Sequence, residues 1–324
     1  MQKMWQMCSA LMVSIAVFCV SPAQADSTER GISLATANGE IQGSLLQPEG
    51  SAKVPVVLII AGSGPTNRNG NSAGSSGNNN SLKMLAEGLA NQGYASVRFD
   101  KRGVGDSAAV ATTESAIRFE TYVDDAVAWL KMLKADTRFS DVVVLGHSEG
   151  SLIAMLAAQQ VPVSALVSVA GAGSNLADVL RQQLYGKLPP DLVKPNEEIL
   201  QALQAGKTTA SVPPALQFLY RESVQPYLIS LYRYTPLQEI RKLTMPVLIL
   251  QGDTDIQVDR SQAEALKAAK PDAELHIISG MNHVLKIVPA DAKKQMASYF
   301  DPTLPISPEL IRHLSAFLQQ LPRH

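Results

Sequence analysis

The chain has 324 residues, 46% hydrophobic and 18% charged, with a formal net charge of -1 at pH 7. That apolar supply suits one large α/β domain and excludes a disordered chain, although length by itself also fits two smaller domains. The balanced charge, with no basic block, points to neither nucleic acid nor an anionic membrane surface as a partner, and no internal repeat is visible.

The first 25 residues read as a signal peptide. Lys3 supplies a positive start, Leu11 to Val20 a short apolar core, and Ser21-Pro22 a break before the A-x-A site Ala23-Gln24-Ala25. Cleavage there starts a periplasmic or secreted chain at Asp26, expected to form a single domain over residues 26–324. Stable membrane insertion is not expected, because the apolar run is shorter than the ~20 residues of a spanning helix. Bulky Phe18 before Cys19 argues against lipid attachment. Cys8 and Cys19 both fall in the leader, so the mature chain has no thiol for cysteine catalysis, disulfides or thiolate zinc.

Gly31 to Ala35 and Ile41 to Leu46, separated by Asn38-Gly39, predict an opening hairpin. Val56 to Ile60, bounded by Pro55 and Gly62, is an apolar run suited to a central strand. Gly62 to Ser81, rich in Gly, Asn and Ser, predicts an irregular loop. Leu82 to Gln92 has helical spacing and stops at Gly93. Ala95 to Phe99 is the next strand, and Tyr122 to Leu133 the next helix, with Val123, Ala126, Trp129, Leu130 and Leu133 on one face. Val142 to Leu145, Ala165 to Val169, Val247 to Leu250 and Glu274 to Ile278 complete the strands. Their alternation with helices predicts a mostly parallel central sheet flanked by helices. One long insertion, about 172–243, is punctuated by Pro189-Pro190, Pro195 and Pro213-Pro214. Its apolar residues, including Ile199, Leu203, Leu216, Phe218, Leu219, Leu228 and Leu231, predict a small helical cap over the strand ends.

Gly146-His147-Ser148-Glu149-Gly150 stands where the run Asp141 to Leu145 meets the helical stretch Ser151 to Ala158. A serine on such a turn is forced into a strained backbone, its hydroxyl projecting above the sheet beside a helix N-terminus, with the flanking glycines giving steric room. A serine hydroxyl needs a neutral imidazole to take its proton and an acid to orient that imidazole. His147 is too close to the elbow to fold back, His276 lies within a strand, His313 on a C-terminal helix, and His324 is the last residue. His283, in the loop after the last strand, is the expected base. For the acid, Asp255 is preferred to Asp253 in the turn after Leu248-Ile249-Leu250; the other is expected to cap the turn through Asx-type bonds. Asp259 and Asp178 are more distant alternatives.

The order Ser148, Asp255, His283 resembles that of the α/β-hydrolase-fold serine esterases. The resemblance covers essentially the whole mature chain. Ala61-Gly62-Ser63-Gly64-Pro65 resembles the family's H-G-G-G or H-G-x-G oxyanion loop, with Ala61 replacing the usual histidine. Asp100-Lys101-Arg102-Gly103-Val104-Gly105-Asp106-Ser107 resembles its D-x-R-G-x-G-x-S turn, and Gly252 to Val258 its G-x-x-D-x-x-V acid turn. The loop Gly62 to Asn71 further resembles a bacterial esterase subfamily carrying G-S-G-P-x-x-R. The resemblance implies an α/β-hydrolase fold and hydrolysis of a small-molecule carboxylic ester, short in its acyl chain, through an acyl-enzyme. It places the oxyanion on the amides of Ser63 and Glu149. No metal or organic cofactor is expected, since no histidine pair or carboxylate cluster has ligand spacing. Asn67 and Arg68 are candidates for substrate binding or for a solvated loop, and Asp100 and Arg102 for an ion pair bracing their turn. A peptidase, amidase or thioesterase on the same scaffold, or a non-catalytic binding module, are the alternatives. Serine rather than aspartate at position 148 excludes a dehalogenase or epoxide hydrolase.

Overall fold

The computed structural model describes residues 27–322 apart from 51–52, 74–76, 111–112 and 185. The predicted leader with Cys8 and Cys19, the start at Asp26, and His324 lie outside the described residues. Among the described residues, eight strands form one sheet: β1 (Ser27–Thr36), β2 (Gly39–Pro48), β3 (Val54–Ile60), β4 (Ala95–Phe99), β5 (Phe139–His147), β6 (Ala165–Val169), β7 (Val247–Gly252) and β8 (Glu274–Ile278). The order is β1-β2-β4-β3-β5-β6-β7-β8. The hairpin β1–β2 is antiparallel and joins β4 antiparallel, while every later pairing is parallel.

The inner strands are apolar throughout because both faces are covered. Alternate residues split between two cores. Val56, Leu58, Val144 and Ile249 face one core; Val57, Ile59, Val143 and Leu248 face the other. The second face is covered by α1 (Ser81–Ala90) and by a C-terminal helix, whose Leu82, Leu85, Leu310 and Leu314 are buried. The first is covered by α2 (Phe119–Ala135) and α3 (Glu149–Ala158). The five residues predicted on one face of α2 are all buried, and Trp129 stacks on Phe99 at 5.5 Å between centroids.

Between β6 and β7 the chain forms α4 (Leu176–Leu184), α5 (Pro190–Gln204), α6 (Gln217–Tyr220), α7 (Gln225–Leu231) and α8 (Pro236–Ile240). Ile199, Leu203, Leu216 and Leu231 join the first core, but Phe218 is 85% exposed, so it does not hold the insertion in place. Three further helices follow: α9 (Arg260–Ala269), α10 (Ala292–Ser298) and α11 (Pro308–Gln319). Among the described residues no helix is long and apolar enough to cross a membrane. Parallel strands with helical crossovers put the C-terminal ends of β3, β5, β7 and β8 on one rim, where their loops meet.

Candidate active site

Ser148 links β5 to α3 with φ 55° and ψ -123°, a left-handed conformation that non-glycine residues rarely hold. Its N–H donates to the Val169 carbonyl at 2.9 Å, tying the turn to β6. The flanking glycines are there for close approach. A Cβ at Gly146 would lie 2.1 Å from the Gly150 carbonyl oxygen, and one at Gly150 would lie 2.4 Å from that of Ile60. The serine side chain is half-buried and makes no hydrogen bond among the described residues.

Asp255 sits in the turn after β7 with its side chain fully enclosed. Its Oδ1 accepts the amides of Gln257 at 2.8 Å and Val258 at 2.9 Å. Its Oδ2 accepts His283 Nδ1 at 2.8 Å and Gln251 Nε2 at 3.2 Å. Burial works to raise its pKa, but His283 and the two amides outweigh it and hold the carboxyl below the usual range. A carboxylate on Nδ1 fixes the tautomer: Nδ1 carries the proton and Nε2 is left as acceptor. The expected Asx bonding is therefore made by Asp255 itself. Asp253 instead accepts the Gly280 amide at 2.6 Å, fastening the acid turn to the loop that carries His283. The two loops touch so closely that a Cβ on Gly252 would lie 1.8 Å from the Met281 carbonyl oxygen. The other acids are elsewhere: Asp259 caps α9 and Asp178 pairs with Arg181.

His147, set aside on sequence because it adjoins the elbow, turns out to join the elbow to the base. Its Nε2 donates to the His283 carbonyl at 2.8 Å, and the two rings lie 5.0 Å apart. Burial first, and the neighbouring His283 second, push its pKa down to about 4. It is thus neutral at pH 7. Its only sequence signal was its place inside the G-x-S-x-G pattern. The structure therefore bonds Asp255 to His283 directly and His283 to the elbow through His147. Among the described residues no hydrogen bond joins the Ser148 hydroxyl to His283, as is common before substrate arrives. His276 is half-buried on β8, bonded to Glu274 and stacked on His313, away from this rim.

A cavity of about 180 Å³ opens at Ser148, with Ser63 and Glu149 beside it. The amides of Ser63 and Glu149 have no acceptor among the described residues, the second because it opens α3. Gly62 packs against the elbow, a Cβ there falling 3.1 Å from Ser148 Cβ. The far wall is apolar, with Leu176 and Leu180 from α4 and Leu228 and Leu231 from α7. A larger surface cleft of about 630 Å³, bounded by Arg30, Lys53 and Arg138, lies at the opposite strand ends and holds none of these groups.

Asn67 and Arg68 are committed elsewhere. Asn67 Oδ1 accepts the amides of Asn69 and Asn71, and Arg68 pairs with Asp100 and Asp106. They brace the loop and do not line the cavity. The expected Asp100–Arg102 pair does not form. Arg102 binds Asp125 of α2 through two bonds of 2.7 and 2.6 Å, while Asp100 holds the amides of Arg68 and Asp106. A guanidinium reaches a partner 23 residues on because α2 packs beside the turn.

The family described as serine aminopeptidase, S33, matches residues 74–211. Esterase EstD of Thermotoga maritima is 28% identical over 253 residues, which are 77% of this chain but only 59% of that protein's length. Among solved structures, Est1E from Butyrivibrio proteoclasticus aligns with a TM-score of 0.59 at 18% identity, over 90% of this chain and 98% of its own. The acylaminoacyl peptidase of Pyrococcus horikoshii aligns at 0.56 and 14% identity, over 92% of this chain and 42% of that one.

Proposed function

We propose that this chain, which has the α/β-hydrolase fold, is a serine hydrolase that cleaves carboxylic esters. The observation that carries this reading is the 2.8 Å bond from His283 Nδ1 to the enclosed Asp255 carboxylate, tied through His147 to a strained serine elbow that opens on a cavity. Ser148 Oγ attacks the ester carbonyl carbon while its proton passes to His283 Nε2. The carbonyl oxygen becomes an oxyanion held by the Ser63 and Glu149 amides. The tetrahedral adduct collapses, the bond to the alcohol oxygen breaks, and His283 returns the proton to that oxygen. Water then gives a proton to His283 and attacks the acyl carbon; the bond to Ser148 Oγ breaks, His283 returns the proton to that oxygen, and the acid leaves.

The cavity's small volume and its Leu176, Leu180, Leu228 and Leu231 wall favour a short acyl chain, with the insertion between β6 and β7 acting as a cap. The name of the Thermotoga maritima relative supports ester over amide. The test is a panel of p-nitrophenyl esters from short to long acyl chains, with peptide and thioester substrates, on wild type and Ser148→Ala. Short esters are expected to turn over fastest, and the variant to lose about 10⁶ in turnover. Undiminished hydrolysis in the variant overturns the nucleophile; preference for peptide or thioester overturns the substrate class. An intact fold with no turnover and no fluorophosphonate labelling identifies a binding module instead. The leader motif supports export to the periplasm or medium, which predicts a purified protein beginning at Asp26 by mass; retention of residues 1–25 refutes it.

A further inference from the structure

Lys101 follows the end of β4 and is 3% exposed. A lysine is seldom enclosed to this degree, and its surroundings explain what it is used for. Its ammonium donates to the carbonyl oxygen of Gly62, 39 residues earlier, and lies 5.1 Å from the centre of the Tyr122 ring. Burial lowers its pKa from the ordinary lysine value, and the nearby Glu149 carboxylate works against that fall. Glu149 is itself only 5% exposed, with its carboxylate beside the buried Tyr227 hydroxyl. Cation and carboxylate thus enter the interior together.

The Gly62 carbonyl belongs to the same peptide group as the Ser63 N–H. In a planar trans peptide these two bonds point in opposite directions. A cation held on the oxygen therefore turns the N–H away from Lys101 and fixes the plane of the whole group. It also withdraws electron density through the amide, so the N–H becomes a stronger donor. The loop needs such a hold, since Gly64 adopts φ 70° and, among the described residues, the Ser63 carbonyl accepts only the Thr66 hydroxyl, at 2.9 Å.

We propose that Lys101 is a positioning residue for the oxyanion hole, orienting and polarising the Gly62–Ser63 peptide from behind. The assignment rests on the hydrolase reading above. Lys101 does not touch the substrate; it acts through one backbone amide. Its effect therefore belongs to the transition state, where the oxyanion exists, and not to the ground-state ester.

Lys101→Gln and Lys101→Arg test this, compared with wild type for kcat and KM on a short p-nitrophenyl ester. A second measurement is the affinity for a trifluoromethyl ketone, to which the serine adds to form a tetrahedral oxyanion. Deleting an oxyanion donor costs about 10²–10³ in rate, so weakening one is expected to lower kcat by about 10- to 100-fold in Lys101→Gln. KM should stay within about twofold and ketone affinity should fall in step with kcat. Lys101→Arg, which keeps the charge, should recover most of the loss. The correlation is read on whichever variants keep the wild-type circular dichroism spectrum. Unchanged kcat, a rise in KM alone, or a fall in kcat with ketone affinity untouched overturns the proposal. Failure of wild type to hydrolyse any ester, or full activity in Ser148→Ala, defeats the hydrolase reading instead and is seen separately.

Discussion

Acidification should destabilise this fold through His147, by an amount the structure sets. The buried imidazole has its pKa pushed down to about 4, whereas in the unfolded chain it titrates near its ordinary value of 6.5. The folded state therefore binds the proton less readily than the unfolded one. The associated stability is complete above pH 6.5, declines as the pH falls from 6.5 to 4, and changes no further below that. At about 1.36 kcal/mol per unit, the whole window is worth about 3 kcal/mol. That is a large part of the ~5–15 kcal/mol by which domains are usually stable. The assay is urea unfolding of wild type and His147→Gln at steps from pH 7.5 to 4. Glutamine keeps a donor for the His283 carbonyl, so its constant offset does not vary with pH. Other acid-sensitive groups are common to both proteins and cancel. The difference in unfolding free energy between wild type and variant should shrink by about 3 kcal/mol across the window. A difference that stays flat to about 0.5 kcal/mol would refute the account of a neutral, enclosed His147.

Two further outcomes follow from the geometry. Asp255→Asn keeps an oxygen for the Gln257 and Val258 amides but offers an N–H to His283 Nδ1, forcing the wrong tautomer; kcat on a short ester should fall by about 10⁴ with circular dichroism unchanged, and a loss under tenfold would remove Asp255 from the triad. Gly150→Ala drives a methyl to 2.4 Å from the Ile60 carbonyl oxygen, where the sheet backbone gives little, so chemical denaturation should show a loss of about 3 kcal/mol or more; stability within about 1 kcal/mol of wild type would mean that α3 is free to shift.

What the sequence determined by itself was whatever depends on neighbours along the chain. Strand and helix periods gave Ala165–Val169 and Glu274–Ile278 to the residue, and the run from Asp141 through Ala158 announced a strand, a serine elbow and a helix. Local backbone geometry is enough for these, because steric freedom at glycine and the alternation of apolar side chains act over a few residues. The tertiary structure decided the pairings. Whether Asp253 or Asp255 meets His283 depends on how closely the turns after β7 and β8 approach, and that approach is set by Gly252 against Met281. Arg102 found Asp125 rather than Asp100, Arg68 went to the loop rather than the cavity, and Phe218 faced water although its composition suggested packing. His147 and Lys101 acquire their roles from carbonyls 136 and 39 residues away. Such contacts have no periodic signature, since a side chain's partner is chosen by which loops the parallel sheet brings to one rim, and that choice exists only once the strands are in order.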